Sequence, residues 1–242
     1  MIPEFTLLIS LKKASIEMFP DDKLVSIKQS LVNLFGSELN AIVLTGSYAK
    51  GDYHSESDID LWVILGSLEI NDLKEIAEIM KKNARKPEIN IQCITSDELL
   101  TNSFKKFFSP VQLYVDGIVL HGKLPSYIPY NSEIRNYSAS IASEVFMSSR
   151  HYITAGESEE NLSAGRLLKW VIKPLSWVFR YNVLLKSSLF PRTFEDLTMY
   201  TSDEKELKII GAYTEILDRK FNGSFISLNE LCHQTSLKLS KI

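Results

Sequence analysis

Residues 46–60 read Gly-Ser-Tyr-Ala-Lys-Gly-Asp-Tyr-His-Ser-Glu-Ser-Asp-Ile-Asp, and they join two short apolar runs. The run before them, Ala-Ile-Val-Leu-Thr at 41–45, is rich in β-branched residues and is typical of a buried strand. The run Ile-Asp-Leu-Trp-Val-Ile-Leu at 59–65 indicates a second strand. A glycine directly after the first strand permits a tight turn, because it has no Cβ to restrict the backbone. The stretch therefore predicts a strand, a turn, a polar loop and a second strand.

The flanking sequence continues to alternate between helix and strand patterns. Apolar residues three or four positions apart predict one helix capped by Asp21-Asp22 and another over 71–83. Residues 89–94 alternate apolar and polar side chains and indicate a third strand, and 111–121 fit a final edge strand. We therefore predict a small mixed-sheet domain over residues 1–122.

The strand signal ends near residue 131. Residues 123–130 carry two prolines and form a predicted linker between domains. Beyond the linker, helix-period patterns predict an all-α helical-bundle domain over 131–242, with helices near 132–155, 161–188, 202–220 and 226–240. The predicted fold class is therefore α+β, a small mixed-sheet domain followed by a helical domain.

The composition is that of an ordinary globular protein. The 242 residues are 45% hydrophobic and 24% charged, with a formal net charge of −3. No apolar run approaches the about 20 residues of a membrane span. Two distant cysteines and four scattered histidines show no metal-ligand spacing. We therefore predict a cytoplasmic protein with no membrane partner, and the acidic balance disfavours a nucleic-acid partner.

The glycine–serine turn has the chemistry of a phosphate site. Gly46 lets the main chain approach an anion closely, and Ser47 adds a hydroxyl. A helix that starts there would direct free N–H groups at the anion, and Lys50 lies one turn further on. We predict Gly46, Ser47 and Lys50 as ligands of a nucleoside triphosphate.

Two carboxylates follow on the second strand. Side chains two positions apart share a face of a strand, so Asp58 and Asp60 point the same way. Carboxylates this close repel each other unless a cation lies between them, and Mg²⁺ prefers carboxylate and phosphate oxygens. We predict that both residues are catalytic and hold Mg²⁺ or Mn²⁺, as two ions about 3.5–4 Å apart in an active enzyme.

The Gly-Ser turn and the Asp-x-Asp strand together resemble the signature of the nucleotidyltransferase superfamily, the polymerase-beta-like enzymes. The chain looks most like the small prokaryotic members, the minimal and aminoglycoside nucleotidyltransferases with a C-terminal helical domain. The resemblance is carried by Gly46, Ser47, Ala49, Lys50, Gly51, Ser57, Asp58, Ile59, Asp60 and Leu61. It extends, more loosely, to Gly122. It implies a mixed sheet of few strands with helices packed on one side, an NTP substrate and a hydroxyl acceptor.

Members of this superfamily carry a third carboxylate on the strand after the intervening helix. By pattern that position is Asn90, whose amide oxygen coordinates a cation but supplies neither charge nor base, and we count it among the metal ligands. Three interpretations stay open. In the first, Glu88 on the same strand face is the third catalytic acid. In the second, an acid of the helical half completes the site, from the set Glu144, Glu157, Glu159 and Glu160. In the third, the domain binds nucleotide with little or no turnover.

A basic stripe marks the helical half. No acidic residue occurs from Asn161 to Phe194, and cations spaced three, four and seven residues apart lie on one helix face: Arg166, Lys169, Lys173 and Arg180. One interpretation is an external anion such as the triphosphate, with Lys169 and Lys173 as nucleotide ligands. The other is a solvated face whose acids come from a neighbouring helix.

The leading functional prediction is metal-dependent transfer of a nucleoside monophosphate, most readily AMP from ATP, to a hydroxyl acceptor. The acceptor is a small molecule or a polypeptide, held in the cleft between the two halves. The alternative is a catalytically weak or inactive nucleotide-binding partner, an antitoxin-like regulator, which the neutral Asn90 favours. A third is an enzyme that modifies RNA ends. A homodimer or a complex with a helical partner is compatible with each.

Overall fold

The protein divides into two compact units, with the division between Pro129 and Tyr130. The first unit contains the β-sheet, and the second is built from helices. The division falls within the segment 123–130. The structure, a computed structural model, describes residues 22–54, 57–107, 110–159 and 161–241.

A four-stranded mixed sheet forms the centre of the first unit. Its strands, in the spatial order β3-β2-β1-β4, are β1 Leu39–Thr45, β2 Ile59–Leu65, β3 Ile89–Thr95 and β4 Ile118–Gly122. β1 pairs antiparallel with β2 and β4, whereas β2 and β3 are parallel. A parallel pair needs a crossover connection, which a helix between β2 and β3 supplies. In this register Thr45 lies beside Asp60, and Asp60 lies beside Asn90.

One face of the sheet is covered by long helices. The helices of the described part of this unit are α1 Asp22–Phe35, α2 Gly46–Lys50, α3 Ile70–Lys82, α4 Ser96–Leu99 and α5 Asn102–Phe107. Leu24 of α1 and Ile76 of α3 belong to one core cluster with Ile42 and Leu61 of the sheet. Because strand side chains alternate between faces, Asp60 points to the opposite face.

Short helical segments cover part of that opposite face. Leu99 of α4 and Leu113 of a π-helix, Gln112–Asp116, pack with Val43 and Ile64 of the sheet. Helices therefore cover both faces of the sheet, whereas the family resemblance implies helices on one side only.

The predicted edge strand over 111–121 is wrong in its first half. Only Ile118–Gly122 is a strand, and residues 112–116 form the π-helix. Residues 113–115 are all buried, although consecutive side chains of an edge strand would alternate between core and solvent. A continuous apolar run does not distinguish a buried strand from a buried helix, which explains the difference.

The second unit consists of helices joined by loops in its described residues. They are α6 Asn131–Thr154, α7 Ala164–Leu167, a π-helix at Leu168–Ile172, α8 Lys173–Ser187, α9 Phe194–Tyr200, α10 Glu204–Leu217 and α11 Phe225–Leu239. α7, the π-helix and α8 follow one another without a break. Pro174 at the start of α8 donates no N–H to the preceding turn, which accounts for the change to π geometry there. The predicted α+β fold class is confirmed.

The described helices do not span a membrane, because each is too short or too polar to cross a bilayer.

The chain has two cysteines, Cys93 and Cys232, and both are free thiols. Burial raises the pKa of Cys93 to about 11 and also raises the pKa of Cys232. Both side chains are therefore protonated near neutral pH and supply no nucleophile.

Candidate active site

The turn after β1 brings the main chain against an acidic side chain. α2 begins at Gly46, which has a φ of +69°. A Cβ added at this position would lie 2.2 Å from Asp60 Oδ2, far inside contact distance. Glycine fits this gap and adopts the left-handed backbone without steric cost. The main chain at Gly46 therefore lies directly beside the acid pair.

Ser47 supplies an unsatisfied hydroxyl at this turn. Its side chain is 3% exposed. Ser47 Oγ has no hydrogen-bond partner among the residues that the structure describes. Buried hydroxyls are almost always hydrogen-bonded, because an unmade bond costs about 1–3 kcal/mol. An anionic ligand bound at the turn would satisfy this group.

Asn90 bridges the two carboxylates of the acid pair. Asn90 Nδ2 donates to Asp58 Oδ2 at 2.8 Å and to Asp60 Oδ1 at 3.3 Å. The parallel register of β2 and β3 places Asn90 directly beside Asp60. Both carboxylates are half-buried, whereas the asparagine is exposed. The structure thus brings together the three residues that the sequence predicts as metal ligands.

Glu88 directly precedes β3. Its backbone oxygen accepts from the Ile59 N–H at 2.8 Å, but its side chain is exposed. Within the described ranges, no three His, Cys, Asp or Glu side chains are grouped closely enough to hold a metal ion. Glu88 belongs to no such group, and its role as the third acid stays a prediction.

Two of the four candidate acids of the second unit form hydrogen bonds within that unit. Glu157 Oε1 accepts from Arg166 Nη1 at 3.0 Å. Glu159 caps α11, where it accepts from two backbone N–H groups at 2.9 and 3.3 Å and from a serine hydroxyl. Glu144 is exposed on α6, and Glu160 lies outside the described residues. Glu157 and Glu159 are therefore engaged in contacts that stabilise their own unit.

Lys50 lies inside the first unit and not at an open phosphate site. Its Nζ is 2.6 Å from Asp116 Oδ2, and both side chains are 2% exposed. Lys50 Nζ also donates to the carbonyl oxygen of Gly46 at 3.2 Å. The prediction that Lys50 grips the triphosphate does not fit this geometry, because its charge is paired with a buried carboxylate.

Two members of the predicted basic stripe are committed to local contacts. Arg166 pairs with Glu157. Arg180 is fully buried and donates to Pro191 O at 3.1 Å and to Ser176 Oγ at 3.0 Å. The four cations therefore do not form a continuous exposed stripe. α9 and the loop before it cover Arg180, and helical spacing alone does not reveal this cover.

The two lysines of the stripe have more open positions. Lys169 is exposed, and its Nζ lies 5.2 Å from the centre of the Trp170 ring. Trp170 is 54% exposed, and Lys173 is half-buried. Lys169 and Lys173 therefore stay predicted nucleotide ligands.

The donor set of the first unit suits a divalent metal and a phosphate. Asp58 and Asp60 offer carboxylate oxygens, which hard cations prefer. A half-turn of the Asn90 side-chain amide replaces its donor group by an acceptor oxygen. Ser47 offers a hydroxyl to a phosphate oxygen. The residues present therefore fit the metal and the triphosphate that the family resemblance implies, with a neutral third ligand.

Asp116 is the residue of this site that the sequence analysis did not assign. It is 1% exposed and holds Lys50 in place. Its signal was a single carboxylate inside the otherwise uncharged run from Val111 to Leu120. A buried acid in such a run requires a partner, and the nearest cationic residue of the motif is Lys50.

Comparisons with known proteins point to the same superfamily as the sequence resemblance. Residues 24–113 match the family model described as "Nucleotidyltransferase domain". A protein of Methanocaldococcus jannaschii, named "Putative protein adenylyltransferase", is 28% identical over 78 residues, which cover 32% of this chain and 79% of the relative. The crystal structure of spectinomycin adenyltransferase AAD(9) from Enterococcus faecialis, with ATP and spectinomycin, superposes with a TM-score of 0.57. That superposition covers 90% of this chain and 98% of the other at 13% identity, and it shows a shared fold.

The family match includes the turn at Gly46, the carboxylates of Asp58 and Asp60, and Asn90 of β3, but it ends before Asp116. Residues 24–113 therefore contain a nucleotidyltransferase domain, and the predicted resemblance to this superfamily and the predicted enzyme class, a nucleotidyltransferase, are confirmed.

Proposed function

We propose that this protein transfers AMP from ATP to an acceptor hydroxyl and releases pyrophosphate. The observation that carries the proposal is the buried hydroxyl of Ser47, which has no partner among the described residues and lies next to a turn that abuts Asp60. A buried polar group without a partner indicates a ligand, and the neighbouring carboxylates indicate a cation. A metal-bound triphosphate satisfies both. The relatives named as adenylyltransferase and adenyltransferase support AMP as the transferred group.

The site residues of the first unit have distinct roles in this proposal. Asp58 and Asp60 would hold Mg²⁺ or Mn²⁺, with the amide oxygen of Asn90 as a neutral ligand. When bound, such ions neutralise the triphosphate and lower the pKa of an acceptor hydroxyl. Gly46 and Ser47 orient the phosphates through the main chain and the serine hydroxyl. α2 has five residues, so its helix dipole adds little.

Asn90 limits the chemistry that the site performs by itself. An amide does not take up a proton at neutral pH, so Asn90 is not a general base. The proton of the acceptor hydroxyl therefore passes to solvent or to a basic group that the acceptor carries. General acid–base catalysis contributes about 10²–10⁴-fold to a rate, so turnover is expected to be slow with simple alcohols.

A nucleotide-binding protein with little turnover is the second candidate function. The observation that favours it is the pair of hydrogen bonds from Asn90 to Asp58 and Asp60. These bonds stabilise the acid pair without supplying a base. Such a protein would bind metal and ATP through the same residues and act through a partner.

The acceptor class is proposed from chemistry and from the relatives. A small-molecule hydroxyl follows the spectinomycin enzyme, and a polypeptide hydroxyl follows the Methanocaldococcus relative. The formal net charge of −3 suits a cationic acceptor. Lys169 and Lys173 stay proposed nucleotide ligands, because both are cationic and neither forms an ion pair with a described carboxylate.

Transfer of labelled nucleotide tests this function. The protein is incubated with [α-³²P]ATP and Mg²⁺ or Mn²⁺, with spectinomycin as one acceptor and total cell protein as another. AMP transfer places the α-label on the acceptor, whereas a parallel reaction with [γ-³²P]ATP places the label in pyrophosphate. The Asp58→Asn/Asp60→Asn variant should lose the reaction.

The other outcomes separate the two candidate functions. Metal-dependent ATP binding without transfer to either acceptor favours the nucleotide-binding protein. Label from [γ-³²P]ATP on the acceptor would show phosphoryl transfer and would contradict the proposal. The absence of ATP binding would contradict both candidates.

A further inference from the structure

A buried ion pair is connected to the turn at Gly46. The Nζ of Lys50 lies 2.6 Å from Asp116 Oδ2 and 3.2 Å from the carbonyl oxygen of Gly46. Gly46 in turn lies against the carboxylate of Asp60. A series of contacts therefore leads from Asp116 through Lys50 and Gly46 to the acid pair.

Stability alone does not explain this ion pair. Both side chains are 2% exposed, so both charges have lost their hydration. In many proteins the attraction between two buried charges does not repay that loss, and apolar side chains of similar volume replace such a pair without destabilising the fold. A charged donor and acceptor at short distance do, however, fix the position of the groups that they contact.

The position of Asp116 is itself fixed by packing. Asp116 ends the π-helix, and a Cβ added to the next residue, Gly117, would lie 2.5 Å from Leu113 O and 2.8 Å from Val43 Cγ1. The end of the π-helix therefore lies directly against β1. Because β1 leads into Gly46, Asp116 and the turn are supported by the same strand.

We propose that Lys50 and Asp116 are positioning residues for nucleotidyl transfer. The pair holds the carbonyl of Gly46 and thereby sets the orientation of Ser47 relative to Asp60. This inference rests on the proposed function and adds two residues that touch neither the nucleotide nor the metal in it. A displacement of about 1 Å at a catalytic site costs up to 10²-fold in rate, so a small change in the turn is enough to slow transfer.

The variant Lys50→Met/Asp116→Leu tests the inference, because it removes both charges and leaves neither buried and unpaired. We expect a thermal midpoint close to that of the wild type. Hydrogen exchange reports the turn, since the Asp52 N–H donates to Ser47 O at 3.0 Å and the Gly51 N–H to Tyr48 O at 3.3 Å. We expect exchange in residues 46–52 to be about tenfold faster, with the amides of β1 unchanged.

The kinetic expectation differs from that of a residue with a structural role alone. With ATP and an accepted substrate, kcat of the double variant should fall about 10–100-fold, with a smaller change in KM for ATP. A matched control, Lys81→Met/Glu78→Leu, removes an ion pair on α3 whose side chains are 72% and 56% exposed. The control should change neither the exchange of residues 46–52 nor kcat.

Each outcome decides the inference. Wild-type exchange and kcat in the double variant would overturn it. If that variant does not fold, Lys50→Gln/Asp116→Asn removes both charges but keeps a neutral hydrogen bond between the side chains, and it should change exchange and kcat in the same direction by a smaller factor; no change would overturn the inference. If the wild type transfers no nucleotide, the proposed function fails, and the exchange of residues 46–52 still decides whether the pair positions the turn.

Discussion

Asn90 donates its side-chain N–H to Asp58 Oδ2 at 2.8 Å, across two neighbouring parallel strands. The same amide reaches Asp60 Oδ1 at 3.3 Å. A neutral side chain therefore lies beside both carboxylates, and it stabilises the acid pair instead of repelling it. This group contains two carboxylates and no third negative charge.

The first prediction concerns the charge at this position. Asn90→Asp should lower the free energy of unfolding in metal-free buffer by about 1–2 kcal/mol, because hydrogen bonds are lost and a third negative charge is added. Added Mg²⁺ should then stabilise this variant more than the wild type. Thermal melting with EDTA and with Mg²⁺ measures both effects. The matched control is Gln92→Glu, which adds the same charge two residues along the same strand face. Equal Mg²⁺ stabilisation of both variants would contradict the prediction.

The second prediction concerns the contact between Gly46 and Asp60. Gly46→Ala should lose at least about 100-fold in nucleotide transfer, because the added Cβ would lie 2.2 Å from Asp60 Oδ2 and must displace it. Backbone strain at the φ of +69° adds about 1–3 kcal/mol of destabilisation. Gly36→Ala is the control, since Gly36 has a φ of +50° and no atom within 4 Å of the added Cβ. Its stability should fall without loss of transfer; similar activity in both variants would refute the role of the contact.

The third prediction concerns the Ser47 hydroxyl. Ser47→Ala should leave the free energy of unfolding unchanged or raise it by about 1 kcal/mol, because a buried group without a described partner is removed. KM for ATP should rise about tenfold, the equivalent of about 1.4 kcal/mol. Ser149→Ala is the control, since its hydroxyl is likewise buried without a described partner but lies in the second unit. An equal KM for ATP in the Ser47 variant and the wild type would remove Ser47 from the nucleotide site.

The fourth prediction concerns the buried arginine of α8. Arg180→Met should lower the free energy of unfolding by about 3 kcal/mol, because two hydrogen bonds that its guanidinium donates and its contact with the Phe194 ring, at 4.6 Å, are lost. Urea unfolding measures the change. Lys169→Met, at an exposed position on the same predicted stripe, should change stability by less than about 0.5 kcal/mol. Comparable losses in the free energy of unfolding of the two variants would contradict the claim that Arg180 stabilises the fold because it is buried.

Local sequence patterns predicted the parts of the fold that depend on local physics. Helix periodicity and β-branched runs predicted the first three strands and the four longest helical stretches of the second unit, because a buried face imposes its own period, but they did not predict α9. The family resemblance pointed to Asn90, and the parallel register of β2 and β3 places this residue beside Asp60. The π-helix at Gln112–Asp116 was not predicted, because its apolar residues suit either a strand or a helix.

Partners that are distant in the sequence could not be predicted from spacing. Lys50 looks like a phosphate ligand in its motif, but it forms a buried ion pair with Asp116, which is distant in the sequence. Arg180 looks like part of a solvated stripe, but Pro191 and α9 cover it. In both cases tertiary packing decides whether a cation faces solvent, and helical periodicity contains no information about that packing.

Calorimetric binding of a non-hydrolysable ATP analogue decides whether the turn and the acid pair form a metal–nucleotide site. The analogue α,β-methylene-ATP is titrated into the wild type and into Asp58→Asn/Asp60→Asn, each with Mg²⁺ and with EDTA. The isosteric variant keeps the shape of both side chains and removes their charges. We predict binding by the wild type with Mg²⁺, and binding at least about tenfold weaker in EDTA or in the variant. Equal affinity of the variant and the wild type, or binding that does not depend on Mg²⁺, would contradict the assignment of Asp58 and Asp60 as metal ligands.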